Sequence, residues 1–425
     1  MNRRYFIQSA AATATTGIGR PSGRPAANRV NLAFIGLNGR GKALVNVFVG
    51  IPDVGIGYLI DVDERVAGPI AGAVEKKTGQ RPRVASDMRR AFDDPSIDAC
   101  VIATPDHWHA PATILACAAG KDVYVEKPCA HNAREARLMV AAARRHNRIV
   151  QHGTQARSRP TTQRAIEYVR SGKIGKVLVA KAWDVQMRKN IGFKPDTPVP
   201  AGVDYDTWIG PAPALPFNEN RFHYNWHWHW NYGTGDMGND GAHQIDQARW
   251  ALGVDHPLEV SGAAGKLFFD DDQQTPDTMT ITFSYPGKML LFEMRIWNPY
   301  AMGGIQNGVA VYGSEGMVEI GKSDRVNGYR VYDRAGKLVH QEEEKVSDTH
   351  AHNFIDCVRS RKPPNAEIEV GRLSSLHCHL GNIVARTGRS LKYDPATESI
   401  AGDSEAGKLL GRQYRAHWST PQGLA

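Results

Sequence analysis

The sequence predicts an α/β domain with a parallel, doubly wound sheet, followed by an α+β domain whose sheet is mainly antiparallel. Three observations predict this. A short apolar run, Arg29 to Ile35, passes directly into Gly36-Leu37-Asn38-Gly39-Arg40-Gly41 and then into an amphipathic helical pattern from Lys42 to Val49. Short apolar strands then alternate with helical patterns to about residue 152, which is the mark of successive βαβ units. Beyond that point strand patterns dominate, several of them joined by tight glycine turns such as Pro286-Gly287 and Ser314-Glu315-Gly316. Turns of that kind connect antiparallel hairpins.

The chain of 425 residues is long enough for two domains at roughly 100–200 residues each. Its composition, 41% hydrophobic and 23% charged, is that of an ordinary globular protein. No apolar stretch is long enough to span a membrane. The net charge is +8, but the basic residues are scattered without a long Lys/Arg run, so nucleic acid is not an expected partner. A mildly basic surface suits anionic sugars or cell-envelope polymers. The five cysteines, Cys100, Cys117, Cys129, Cys357 and Cys378, are odd in number and form no CxxC pair. That argues against a disulfide framework or a structural zinc site and for inert buried thiols.

The first residues, Asn2-Arg3-Arg4-Tyr5-Phe6-Ile7-Gln8, resemble a twin-arginine export signal. The mildly apolar Ser9 to Gly19 and the Pro/Gly/Ala-rich Arg20 to Ala27 follow. The alternative is a tail with a chance arginine pair. The expected organisation is therefore a signal and linker over 1–28, a dinucleotide domain over 29–152, a second domain over 153–400 and a C-terminal docking arm over 401–425, with the protein exported to the periplasm.

In the glycine loop, Gly36 and Gly41 fit the first and third glycines of the G-x-G-x-x-G fingerprint. Asn38 holds the second position, with Gly39 beside it. The chemistry needs bare backbone there, so that a pyrophosphate can reach a helix N-terminus. The next strand signal, Gly57 to Ile60, ends at Asp61, where the fingerprint places a ribose-binding carboxylate. A carboxylate accepts hydrogen bonds from the adenosine ribose and repels a 2′-phosphate, which selects NAD over NADP. The competing reading of Asp61 is a helix cap. Two further strand signals, Ala99 to Ala103 and Asp122 to Val125, lead into Thr104-Pro105-Asp106-His107-Trp108-His109 and Glu126-Lys127-Pro128. Both segments lie at the carboxyl ends of parallel strands, where open α/β sheets bind ligands.

With the glycine loop, the Thr-Pro-x-x-x-His run and the Glu-Lys-Pro triplet in place, the chain resembles the glucose-fructose oxidoreductase, inositol dehydrogenase and rhizopine-catabolism family of oxidoreductases, Gfo/Idh/MocA, from about Asn28 to Pro395. The resemblance implies a Rossmann domain followed by a domain with an open, mainly antiparallel sheet, the open face of which forms oligomer contacts. It also implies that Lys127 is the catalytic-site lysine and that Pro128 follows a cis peptide bond. Gly36, Asn38, Gly39, Arg40, Gly41, Asp61, Thr104, Pro105, His107, His109, Glu126 and Lys127 are the expected cofactor contacts.

In the second half, Arg164 to Ser171 reads as a helix. Strands are expected at Lys176 to Val185, Leu258 to Leu267, Thr278 to Tyr285, Lys288 to Trp297, Gly308 to Gly313 and Gly316 to Ile320, and Arg372 to Thr387 reads as a helix. The densest chemistry is between Arg221 and Asp246. Tyr224-Asn225-Trp226-His227-Trp228-His229-Trp230 alternates rings that stack on sugars with groups that bond hydroxyls. Gln155, Arg157, Tyr224, Trp226, His227, Trp228, His229 and Asp246 are the expected substrate contacts, against the alternative that the aromatic run fills space between domains. No carboxylate stands at ligand spacing from the His227-x-His229 pair, and no metal is expected there or at His377 and His379. The family's Asp-x-Gly-x-His-x-x-Asp pattern falls on Asn239, Gly241, His243 and Asp246, with Asn239 in place of the first aspartate. An amide orients but cannot take a proton, so His243 is the expected base, and Asp236 or Asp240 a stand-in for the missing carboxylate.

These readings imply an NAD-dependent oxidoreductase acting on a sugar or glycoside, with tightly bound NAD recycled internally. Net glycoside hydrolysis, by oxidation at C3, elimination, hydration and re-reduction, is the alternative within the same chemistry. A non-catalytic NAD- or sugar-binding protein is the alternative outside it.

Overall fold

A computed structural model describes residues 29–322, 327–344 and 348–422. The segment expected to carry the export signal lies outside the described residues. Six strands, β1 (Val30–Ile35), β2 (Val54–Ile60), β3 (Arg83–Ala85), β4 (Ala99–Ile102), β5 (Asp122–Val125) and β6 (Val150–His152), form one parallel sheet in the order β3-β2-β1-β4-β5-β6. β4 and β5 are buried at every position, as befits strands covered on both faces, which read as continuous apolar runs. Between the strands run α1 (Arg40–Phe48), α2 (Glu64–Thr78), α3 (Arg89–Phe92), α4 (Asp106–Ala118) and α5 (Ala133–Arg145). The strand order reverses between β1 and β4, and a crevice opens at the carboxyl ends of strands at such a point.

The second half is built on a ten-stranded sheet. Its strands are β7 (Val177–Val185), β8 (Glu259–Gly265), β9 (Thr278–Tyr285), β10 (Lys288–Arg295), β11 (Asn307–Gly313), β12 (Gly316–Lys322), β13 (Asn327–Asp333), β14 (Leu338–Glu344), β15 (Leu391–Asp394) and β16 (Ser399–Ala401). They are ordered β14-β13-β12-β11-β7-β10-β9-β8-β15-β16. Every recorded neighbour pair is antiparallel except β7 with β10. The helices of this half are α6 (Pro160–Arg170), α7 (Tyr205–Ile209), α8 (Gly235–Asn239), α9 (Gly241–Leu252), α10 (Thr349–Ser360), α11 (Ile368–Thr387) and α12 (Ser404–Lys408). α9 and α11 share one core with the alternate buried side chains of β9 and β10, including Ile281, Phe283, Leu290 and Phe292.

The sequence did not predict β13 to β16. β14 shows why. Its described side chains are mostly exposed, so it takes strand form by pairing with β13 and carries no apolar alternation to read. α6 begins earlier than expected, with Pro160 in its first turn, where a proline's missing N–H costs nothing.

The C-terminal arm folds back on its own chain. The Arg415 Nε donates to Gly210 O at 2.6 Å, the Tyr414 hydroxyl donates to Glu135 at 2.8 Å, and the Trp418 ring lies 5.6 Å from that of Trp108. All five cysteines are free and buried. Among the described residues no helix is long and apolar enough to cross a membrane.

Candidate active site

A cavity of about 620 Å³ lies between the crevice of the parallel sheet and the α8–α9 joint. Its floor is the glycine loop. Gly36 has φ +81, and a Cβ there would stand 2.8 Å from the Ala103 backbone. A Cβ on Gly41 would stand 1.8 Å from Gly36 O. Side chains are therefore excluded at both positions by the close approach of β1, β4 and α1. Gly39, which precedes α1, also has a positive φ, +62. Asn38 is not left-handed, contrary to the reason for expecting tolerance there, and uses its side chain instead to meet His223 Nδ1 at 2.9 Å.

Asp61 lines the cavity and accepts from Leu37 N at 2.7 Å and Asp63 N at 3.0 Å. It does not cap α2. That role belongs to Asp63, whose carboxylate accepts from Arg65 N. Burial raises the Asp61 pKa, and each oxygen keeps lone-pair capacity for a ribose hydroxyl. Thr104 and Pro105 also line the cavity, and the buried Thr104 Oγ1 has no partner. The bare glycine backbone at a helix N-terminus, the Asp61 carboxylate just past the second strand and this orphaned hydroxyl together fit a dinucleotide. Asp61→Ala is expected to weaken NAD by about 1–3 kcal/mol, the scale of two lost hydrogen bonds to a charged group. Equilibrium titration of cofactor-free protein would check it.

Glu126, Lys127 and His109 stand on the opposite wall. Arg40 opens α1 and reaches Glu126 at 2.7 Å, while Gln155 Nε2 donates to the same carboxylate at 3.2 Å. Burial alone would raise the Glu126 pKa, but Arg40 and Lys127 outweigh it and hold it at about 2. His109 ties the two strand ends together, with Nδ1 2.6 Å from Pro128 O and Nε2 2.8 Å from Thr104 O. The Lys127–Pro128 bond is cis.

The α8–α9 joint brings the second set of groups to Lys127. A Cβ on Gly238 would stand 2.0 Å from Thr234 Oγ1 and 3.4 Å from Pro128. The glycine thus lets α8 press against the Lys127–Pro128 turn. Lys127 Nζ donates to Asn239 Oδ1 at 2.7 Å, and Asn239 Nδ2 donates to Asp236 at 2.8 Å. His243 lies in the first turn of α9 and faces the cavity. Burial, assisted by Lys127, lowers its pKa to about 4, so the imidazole is neutral near pH 7 and able to accept a proton.

Several expected contacts lie elsewhere. Asp236 is fully buried beneath Asn239 and paired with Arg188 at 2.9 Å, so it positions other groups and cannot meet a substrate. Of the two, Asp240 is the one that reaches the cavity. Arg157 and Asp246 do not line the cavity. They form a buried ion pair at 2.8 Å, and Asp246 also accepts from Ser374 Oγ at 2.6 Å. Trp228 belongs to the core of the second half, and His229 is buried outside the cavity wall. His107 is buried in α4, its Nε2 2.9 Å from Trp208 O, and is corrected from a cofactor contact to a fastening between segments. Within the aromatic run, Tyr224, Trp226 and His227 do line the cavity, and the Trp226 and His227 rings stack at 3.5 Å.

Arg188, which sequence reasoning did not single out, stands beyond the end of β7. It donates to Asp236 at 2.9 Å and to Tyr224 Oη at 2.9 Å, and it contacts Asp240. Asp184, Asp236 and Asp240 cluster around it. Burial, and then crowding among these carboxylates, raises Asp184 far above the usual carboxylate range. Nothing local in the sequence joins these residues, which come together only when β7 packs on α9 and its end reaches the α8–α9 joint.

Two family models match the chain: the GFO/IDH/MocA oxidoreductase family, NAD-binding Rossmann fold, over residues 30–154, and the family's C-terminal alpha/beta domain over 176–288 and 332–420. A levoglucosan dehydrogenase of Pseudarthrobacter phenanthrenivorans is 30% identical over 168 residues, 40% of this chain and 36% of that protein. A glycosyl hydrolase family 109 protein of Akkermansia muciniphila is 28% identical over 165 residues, 37% of this chain and 34% of that protein. The matched segments thus span about a third of these relatives' lengths. The WlbA dehydrogenase of Bordetella pertussis, solved with NADH and UDP-GlcNAcA, has the same fold. Its TM-score is 0.65 at 18% identity, covering 86% of this chain and 99% of that one.

Proposed function

Since the chain belongs to the GFO/IDH/MocA oxidoreductase family and carries its NAD-binding Rossmann fold, we propose that it oxidises a hydroxyl of a sugar or glycoside and retains and recycles its NAD. The observation that carries this reading is the convergence of Lys127, Asn239 and His243 on one cavity with the dinucleotide loop. NAD supplies a hydride acceptor there, and one that can give the hydride back. Lys127, aimed by Asn239, stabilises a developing alkoxide through its ammonium charge. His243, kept neutral, takes the hydroxyl proton. Tyr224, Trp226 and His227 offer ring faces and polar edges to a sugar. Export by the twin-arginine route and association through the outer face of the ten-stranded sheet belong to the same proposal. A folded protein carrying its cofactor out of the cytoplasm has no free nicotinamide pool to draw on, which requires recycling in place.

A second reading is net glycoside hydrolysis. The similarity to a glycosyl hydrolase family 109 protein favours it. A glycoside oxidised at C3 has an acidified C2 proton. Loss of the aglycone, addition of water and re-reduction then return the sugar with no net redox change. The test is to denature the purified protein, assay released NAD(H), and screen sugars and aryl glycosides while following the reduced-nicotinamide absorbance. A transient that rises and decays during steady turnover supports recycling. Accumulation of the reduced form that stops turnover would overturn it.

The acid limb of the pH–rate profile follows from His243. Its folded pKa of about 4 lies below the usual 6.5. The base is therefore active above that lowered value and is lost only as pH falls through it. Activity is expected to hold to about pH 5 and to fall below it. A limb centred near 6.5 would assign the step to another group.

A further inference from the structure

The wall of the cavity facing Asp61 and Met88 comes from the second half of the chain and includes Thr207, Trp208, Phe222 and His223. This segment is bound directly to the turn that carries the ribose carboxylate. Glu64 N donates to Gly202 O at 2.9 Å, Asp204 N donates to Val62 O at 2.9 Å, and Asp63 and Val203 form an antiparallel bridge. From the side of α4, Trp108 Nε1 donates to Thr207 O and Trp208 O, each at 3.0 Å. The fingerprint places the adenosine half of the dinucleotide at Asp61, so these contacts roof that half.

At the rim of the roof stands His223. Its backbone is left-handed, with φ 46, a conformation that a non-glycine residue keeps only when its surroundings fix it. Its Nδ1 is 2.9 Å from Asn38 Nδ2 in the glycine loop, and its Nε2 is 3.3 Å from Asp63 Oδ2. A neutral imidazole protonated on Nε2 meets both demands at once, donating to Asp63 and accepting from the Asn38 amide. The ring thus joins the pyrophosphate loop to the ribose turn from outside, and its side chain is 40% exposed. Asn38 replaces the glycine of the fingerprint at the one position whose side chain reaches this ring.

We propose that His223 is a cofactor-retention residue that clasps the roof over the adenosine half of NAD and makes the cofactor a resident group. The inference rests on the reading of retained NAD above. Release requires the rim to open, and opening breaks both contacts of the ring. The sequence of the roof therefore sets the rate at which NAD leaves, while Lys127 and His243 set the chemistry.

The test uses purified holoenzyme diluted into an added alcohol dehydrogenase and its alcohol, which report free NAD as it appears. His223→Ala is expected to release NAD about tenfold faster than wild type, the factor that one to two hydrogen bonds supply. His223→Asn, which tolerates the left-handed backbone and keeps an amide for Asn38 or Asp63, should recover much of the slow rate. Thermal unfolding of each variant, stripped of cofactor, guards against general loosening. Release from His223→Ala at the wild-type rate would overturn the clasp while leaving retained NAD intact. Wild-type protein that yields no NAD(H) on denaturation, or that loses it on dialysis, would overturn the clasp and the reading beneath it together.

Discussion

Lys127→Ala and His243→Ala are each expected to lower turnover by about 10²–10⁴-fold, the range for removing one positioned acid, base or charge from a proton-transfer step. Both side chains face the cavity, and Asn239 holds the lysine ammonium at 2.7 Å. The two act on one hydroxyl and its proton, so the double variant should lose much less than the product of the single losses. NAD should remain bound in His243→Ala, because that residue belongs to α9 and not to the glycine loop or the ribose turn. Stopped-flow absorbance should show a reduced-nicotinamide transient in wild type and none in either variant. Asn239→Ala should weaken activity by a smaller factor, since it removes the aim of the lysine and not its charge. Wild-type turnover in His243→Ala would move the base role to another group, with Asp240 on the cavity wall the next to test.

Asp246→Ala is expected to lower the stability of the second half by about 3–5 kcal/mol, the cost of leaving one member of a buried ion pair uncompensated. The Arg157 and Asp246 side chains are 7% and 0% exposed. Removing the carboxylate strands the guanidinium at the junction of α9 and α11, and it also frees Ser374 Oγ, which donates to Asp246. Urea unfolding followed by tryptophan fluorescence would measure the loss. Unchanged stability combined with lost substrate affinity would return the pair to the substrate site, where the sequence pattern alone had put it.

The contrast between these two predictions marks what a sequence pattern can carry. Lys127 and His243 were singled out by the family resemblance, and their places are written locally: a strand end before a proline in one case, a glycine-rich helix start in the other. Asp246 sits in the same motif as His243 but nearly one turn further along α9, where it meets Arg157 and Ser374 and does not line the cavity. The pattern names both residues and cannot say how far along the helix the cavity reaches. The aromatic run behaves in the same way. Tyr224, Trp226 and His227 face the cavity, whereas Trp228 and His229 are buried, because this segment is wound as a tight 3-10 turn over His223–Trp228 and does not alternate as a strand would.

By itself the sequence determined the doubly wound parallel sheet, the glycine loop at its switch point, and the placing of Asp61 and Lys127 at strand ends. These are set by neighbours in the chain: apolar runs, glycines whose Cβ atoms would strike backbone, a carboxylate just past a strand. The tertiary structure decided which side chains share the cavity. Arg188 meets Asp236 and Tyr224 across 48 and 36 residues of chain, and Asn38 meets His223 across 185. Such contacts exist only after β7 packs on α9 and the 200–232 segment folds over the turn after Asp61. Their energies come from burial and hydrogen bonding between distant segments, and no local pattern records them.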